Sequence, residues 1–258
     1  MGETGAGSEL TGKKIFFLYP TAVVQNRIIT ELVQLEYEVY IARNRERLRK
    51  AIKKFPDAII FVDINEQMTE KEWEAWITGM MEAKDTSGVS IGIITANDDE
   101  QTKRKYLLAL KVRCGYTVLG HDLKKAIIHI ISVLDSVDSK GRRKYLRANI
   151  EKGSNTTLNL LLSGSFVNGQ INDISAVGIS CTLEGNPEIP KNSLFKDIQI
   201  KLQTSLLKVE GIVFGSRVES RQSIYVILFT QRIDPDVRIK IHEYIQKNLQ
   251  KKMDFEIN

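Results

Sequence analysis

The chain has 258 residues, of which 42% are hydrophobic and 27% charged, and a formal net charge of +5. That length suits two ordinary domains, and the balance of apolar to charged residues excludes a chain that is disordered throughout. The longest apolar runs, Ala58–Val62 and Ala126–Val133, end well short of a bilayer's thickness, so no membrane insertion is expected.

Met1–Gly12 is small and polar and lacks a basic end followed by an apolar stretch. A flexible leader is expected there rather than a signal peptide, and with it a cytoplasmic location. Within and beyond it, Gly7-Ser8-Glu9-Leu10-Thr11-Gly12-Lys13-Lys14 imitates the spacing of a phosphate-binding loop. It ends in Lys where Ser or Thr is needed, and it precedes a strand instead of joining strand to helix, so no phosphate cradle is expected.

From Lys14 onward strands and helices alternate. Lys14–Leu18, Tyr37–Ala42, Ala58–Asp63, Ser90–Ile94 and Tyr116–Leu119 read as strands. Val23–Leu35, Arg45–Phe55, Glu70–Ala83, Asp99–Val112 and Leu123–Asp135 carry apolar residues at helical spacing. Parallel strands need crossover helices, so this order implies an α/β domain over 13–135 with a doubly wound parallel sheet.

That half resembles the receiver domain of two-component response regulators, a flavodoxin-like fold. Pro56-Asp57-Ala58-Ile59-Ile60-Phe61-Val62-Asp63-Ile64 is similar to the segment that ends in a phosphoacceptor aspartate, and Ile93-Ile94-Thr95-Ala96 to the strand that ends in a switch hydroxyl. The acidic residues that the family places after the first strand are replaced by Leu18-Tyr19-Pro20, and the lysine after the fifth by Gly120-His121. Phosphoryl transfer requires a metal and a cation to neutralise charge, so Asp63 is expected to be a poor acceptor. A pseudo-receiver that serves as a protein-interaction or dimerisation surface is the expectation.

Ser136-Val137-Asp138-Ser139-Lys140-Gly141 is polar and aperiodic and reads as a linker over 136–141. The pattern then changes to short strands, near Leu158–Leu162, Phe166–Ile174, Gly178–Leu183, Lys196–Gln203, Leu206–Val218 and Ser223–Thr230, punctuated by Asn168-Gly169 and Gly185-Asn186-Pro187. Short strands at such spacing suggest a small antiparallel barrel over 142–258, closed by a helix at about Asp234–Lys252 that starts with Asp-Pro. Charge divides at the same place. Met1–Gly141 holds 20 Lys+Arg and 20 Asp+Glu, whereas Arg142–Asn258 holds 17 and 12, so the basic surplus that would attract an anionic partner lies in the second half.

Directly after the linker stands Arg142-Arg143-Lys144-Tyr145-Leu146-Arg147, and later Asn172-Asp173-Ile174-Ser175-Ala176-Val177-Gly178. Arg-x-x-x-Arg alone is common in a basic chain. Followed by Asp-x-Ser-x-x-Gly at the mouth of a barrel, it resembles the signature of the PilZ family, over about Arg142–Ile245. The resemblance implies a six-stranded antiparallel β-barrel with a C-terminal helix, and a receptor for the bacterial second messenger cyclic di-GMP whose ligand-binding residues are Arg142, Arg143, Arg147, Asp173, Ser175 and Gly178. It also implies that an arginine in the place of Arg142 goes with a stacked pair of ligand molecules.

The chemistry agrees. Guanidinium groups pair bidentately with phosphate or with guanine O6 and N7, and stack on base planes. A carboxylate such as Asp173 accepts from the N1–H and N2–H of guanine. Ser175 can give its hydroxyl to phosphate or hold a turn, and Gly178 can admit a close backbone or a positive φ. No Ser/His/Asp or Cys/His set and no cofactor fingerprint is visible, and His121, His129 and His242 lack metal spacing, so no catalysis, metal or resident cofactor is expected. Cys114 and Cys181 read as buried thiols. The expectation is a cytoplasmic effector that turns cyclic di-GMP binding into a change of domain arrangement and of contacts with an unidentified protein partner. No DNA is expected as a partner, and a homodimer is compatible with the pattern. The rival readings are a scaffold that binds no ligand and a phosphorylation-dependent response regulator.

Overall fold

The computed structural model describes residues 12–151 and 153–257; the expected leader Met1–Gly12 lies outside them as far as Thr11, and so does that part of the phosphate-loop imitation. The chain divides into two compact units, Met1–Lys144 with Leu249–Asn258, and Tyr145–Asn248.

In the first unit β1 (Ile15–Leu18), β2 (Val39–Ala42), β3 (Ile59–Asp63), β4 (Ser90–Thr95) and β5 (Tyr116–Val118) form a parallel sheet in the order β2-β1-β3-β4-β5. Both faces are buried. Phe16, Leu18, Ile60, Val62, Ile91 and Ile93 point to one core, and Ile15, Phe17, Ile59, Phe61 and Ile94 to the other. This is the alternation of a sheet covered by helices on both sides. The helices are α1 (Thr30–Gln34), α2 (Arg45–Lys54), α3 (Glu70–Glu82), α4 (Glu100–Arg104) and α5 (Leu123–Ser136). Two of the expected helices differ in detail: Val24–Ile29 before α1 and Lys105–Ala109 after α4 are wound as π-helix. Starts are fixed by side-chain caps. Asn44 accepts from Arg47 N–H at 3.0 Å, and Thr69 and Glu72 form a reciprocal capping box.

The second unit is antiparallel. It comprises β6 (Arg147–Asn149), β7 (Thr156–Leu162), β8 (Ser165–Ser175), β9 (Gly178–Leu183), β10 (Leu194–Leu202), β11 (Ser205–Glu219) and β12 (Gln222–Phe229). The order β8-β7-β10-β11-β12-β9 closes on itself because β9 also pairs with β8. The result is the expected six-stranded barrel, and β6 is an additional strand laid along the second half of β8. The closing helix, α6 (Pro235–Glu256), buries Ile241 and Ile245 in its first half and joins its Tyr244 hydroxyl to Thr156 at 2.8 Å. Its end, from Leu249, belongs to the first unit, where Met253 and Ile257 enter the core that contains Tyr40 and Ile52. Cys114 and Cys181 are both free and buried. Among the described residues no helix is long and apolar enough to cross a membrane.

Candidate functional site

The strand that sequence reading misses builds the site. β6 pairs Arg147 with Ser175, Ala148 with Ile174 and Asn149 with Asp173, so the second arginine of the first motif lies beside the whole of the second motif. Strand geometry sends alternate side chains to opposite faces. Ala148, Ile174, Ile179, Ile227 and Val213 form one in-register row across β6, β8, β9, β12 and β11, and all are buried in the barrel. The rows on either side of it therefore point to the opposite, outer face of the sheet, where Ser175 and Ser180 are nonetheless buried by their neighbours. One runs through Arg147, Ser175, Gly178, Leu228 and Ile212; the other runs through Asn149, Asp173, Ser180, Val226 and Gly215.

At the polar end of these rows the Arg147 guanidinium stands 3.8 Å from the Asp173 carboxylate, whose other oxygen accepts from the Ser180 hydroxyl. A bulge on β8 between Ile171 and Asp173 re-aims this stretch, and Asn172 C=O accepts from Ile150 N–H at 2.8 Å. The carboxylate adds to the burial that pushes the nearby Cys181 thiol up to about 12.

Ser175 and Gly178 face each other across the two-residue loop between β8 and β9. The Ser175 hydroxyl donates to Gly178 C=O at 3.2 Å and accepts from Val177 N–H at 3.4 Å, which is a turn-holding role. Gly178 does not have a positive φ. It is required for another reason: a Cβ there would stand 2.5 Å from Ile227 C=O on β12. Arg142 and Arg143 are exposed in the segment before β6; Arg142 lines a cavity of about 440 Å³ in the first unit together with Lys13, Asp57, Asp138 and Lys140. Asn149 and Ser180 adjoin Asp173 and lie outside the two motifs. They become visible only through the register of β6 and β9 on β8.

The receiver-like end of the first sheet is arranged differently. Asp63 ends β3 and is 3% exposed; one carboxylate oxygen accepts from Asn65 N–H at 3.3 Å, and the other has no hydrogen-bond partner. Burial pushes its pKa up to about 6, with Glu66 adding to the rise and the Asn65 amide opposing it. The Thr95 hydroxyl donates to Asn65 Oδ1 at 2.9 Å, and Ala96 N–H to the same oxygen at 2.6 Å. Both donors are thus already engaged. Among the described residues no group of three His, Cys, Asp or Glu is placed to hold a metal ion.

No protein-family model and no curated protein matches the sequence. Part of the chain is similar in structure to the PilZ domain of YcgR from Escherichia coli solved with c-di-GMP, at 15% identity and a TM-score of 0.38, covering 45% of this chain and 96% of that one. It is also similar to the MrkH–c-di-GMP complex of K. pneumonia, at 17% identity, a TM-score of 0.39, and 46% and 57% coverage. The inhibitor of motility MotI/DgrA of Bacillus subtilis is similar at 15% identity and a TM-score of 0.38, with 43% and 53% coverage. The chain spans just over half the length of the latter two.

Proposed function

We propose that the chain is a cyclic di-GMP-binding effector of the PilZ type. The observation that carries this reading is the register of β6 on β8, which brings Arg147 and Asp173 to one outward corner of the barrel. An arginine beside a carboxylate, with a serine and an asparagine adjoining, offers both halves of what a guanine nucleotide requires. The cation takes phosphate or the guanine O6/N7 edge, and the anion accepts from N1–H and N2–H. Arg143 and Arg142, four and five residues upstream of Arg147 in the chain, supply the further cations for the two phosphates. Ser175 and Gly178 hold the hairpin that presents Asp173.

Ligand binding orders the Arg142–Arg147 segment between the units and thereby alters their arrangement, since a ligand shifts an equilibrium only through its differential affinity for the two states. Output passes to a protein partner. The phosphorylation reading is disfavoured by the burial of Asp63 and by the prior engagement of Thr95.

The experiment is calorimetric titration of cyclic di-GMP into the full chain and into Arg143→Ala and Asp173→Ala. Saturable heat that both substitutions abolish supports the receptor reading, and the fitted stoichiometry tests the role of Arg142. No heat from a folded wild-type chain would leave the ligand-free scaffold in its place.

A further inference from the structure

The two outward rows that begin at Arg147 and Asp173 do not stay polar. On β12 and β11 they continue as Leu228 and Ile212 in one row and as Val226 and Gly215 in the other. Leu228 and Ile212 are each 39% exposed, and Val226 is half-buried beside them. The relief of this patch is low. Gly178 adds no side chain next to Leu228, and the space above Gly215 is open, with no atom within 4 Å of where its Cβ would stand. Adjacent strands lie about 4.8 Å apart, so the patch on β12 starts about 10 Å from Asp173 on β8.

A flat apolar surface rimmed by a carboxylate and a guanidinium on one side matches a particular kind of group. Phosphate and ribose hydroxyls gain nothing from aliphatic side chains, because they would lose water without new hydrogen bonds. An aromatic base has an apolar face and a polar edge, and it loses nothing by laying the face on Leu228 while the edge remains at the polar rim.

We propose that Val226, Leu228 and Ile212 are the floor on which one guanine base of bound cyclic di-GMP lies, its Watson–Crick edge turned toward Asp173. This rests on the cyclic di-GMP reading above and adds a determinant that neither arginine motif nor hairpin motif contains. It makes the site selective for a ligand with a flat base over one that carries phosphate alone.

The test is titration of cyclic di-GMP into the full chain and into Leu228→Thr and Val226→Thr, with Val218→Thr as control and thermal unfolding to verify the fold. Threonine is a good strand former that keeps the β-branched shape of valine, and at both floor positions it removes apolar contact. Val218 is 75% exposed on the same β11 strand but lies near its hairpin end, paired with Ser223. The expected result is affinity weakened about tenfold in each floor variant and unchanged in the control. Wild-type binding retained by both folded floor variants would overturn the floor and leave the receptor reading intact. Absence of binding in the wild type, with the fold intact, would overturn both together. Val226→Thr is nearly isosteric, so it decides the matter even if Leu228→Thr unfolds the barrel.

Discussion

Arg147 and Asp173 belong to motifs far apart in the chain, yet a three-residue strand brings the guanidinium within 3.8 Å of the carboxylate. Both side chains keep contact with solvent, so this ion pair contributes little to stability, at most about 1 kcal/mol. Its value is positional. Arg147→Ala should leave the unfolding temperature nearly unchanged while weakening cyclic di-GMP binding by about 10- to 100-fold, the loss expected for a charged hydrogen bond to ligand. Parallel thermal melts and titrations would separate the two effects. A variant that melted early and bound normally would assign Arg147 to the fold instead.

Gly178 is expected to behave in the opposite way. Its Cβ would meet Ile227 C=O at 2.5 Å and the Leu228 backbone at 3.2 Å, and neither is the flexible end of a side chain. Gly178→Ala therefore has to part β9 from β12. The expected cost is about 1–3 kcal/mol, read as a lower urea midpoint with an unchanged slope. Saturating ligand should recover part of it if the variant still binds.

These contrasts show what sequence could and could not convey. The continuous apolar runs Ile15–Leu18 and Ile59–Val62, set between segments of helical spacing, made the parallel sheet legible, because a strand buried on both faces needs an apolar residue at every position. The barrel strands were legible from their short length and from the Gly, Asn and Pro between them. β6 was not: Arg147-Ala148-Asn149 has one apolar residue and no period, and its strand conformation comes from β8. Asn149 and Ser180 were hidden with it. The positions of Ser175 and Gly178 were legible from the motif, but their local roles depend on the hairpin and on β12, which spacing alone does not specify. Asn65 was hidden as well, since a loop asparagine gives no sign that Thr95 will donate to it.

Asp63 provides a pH signature. Its pKa is about 6 in the folded chain and about 4 in an unfolded one, so the folded state binds the proton more tightly. Stability from this group is therefore fully present below about pH 4 and is lost as pH rises through about 6. Asp63→Asn removes the dependence. The variant should match the wild type near pH 4 and exceed it near pH 7.5 by on the order of 2 kcal/mol, as judged by urea unfolding at both pH values. An equal or lower stability of the variant at pH 7.5 would mean that the ionised carboxylate is better solvated than its burial implies. The same burial predicts no phosphoryl adduct on Asp63 after exposure to acetyl phosphate and magnesium, as checked by mass spectrometry of the intact chain.

β2 is an edge strand of the parallel sheet, and such a strand presents unpaired backbone groups to any passing chain. Here the Gln250 side chain closes it: Oε1 accepts from Ile41 N–H at 2.8 Å, and Nε2 donates to Ile41 C=O at 3.2 Å. An amide side chain thus replaces one peptide group of a missing neighbouring strand. Met253 and Ile257, one and two turns further on, are buried in the adjoining core, with Leu249 partly buried one turn before Met253, and Lys54 pairs with Glu256 at 3.3 Å. Gln250→Ala should cost about 1 kcal/mol and Met253→Ala about 2–4 kcal/mol in the unfolding of the first unit. Ending the chain at Asn248 removes all of these contacts at once. It should lower the stability of the first unit and cause association that increases with protein concentration on size-exclusion chromatography, because the β2 edge and its apolar flank are then open. A truncated chain that stays as stable and as monodisperse as the full one would show that the end of α6 adds nothing to that unit.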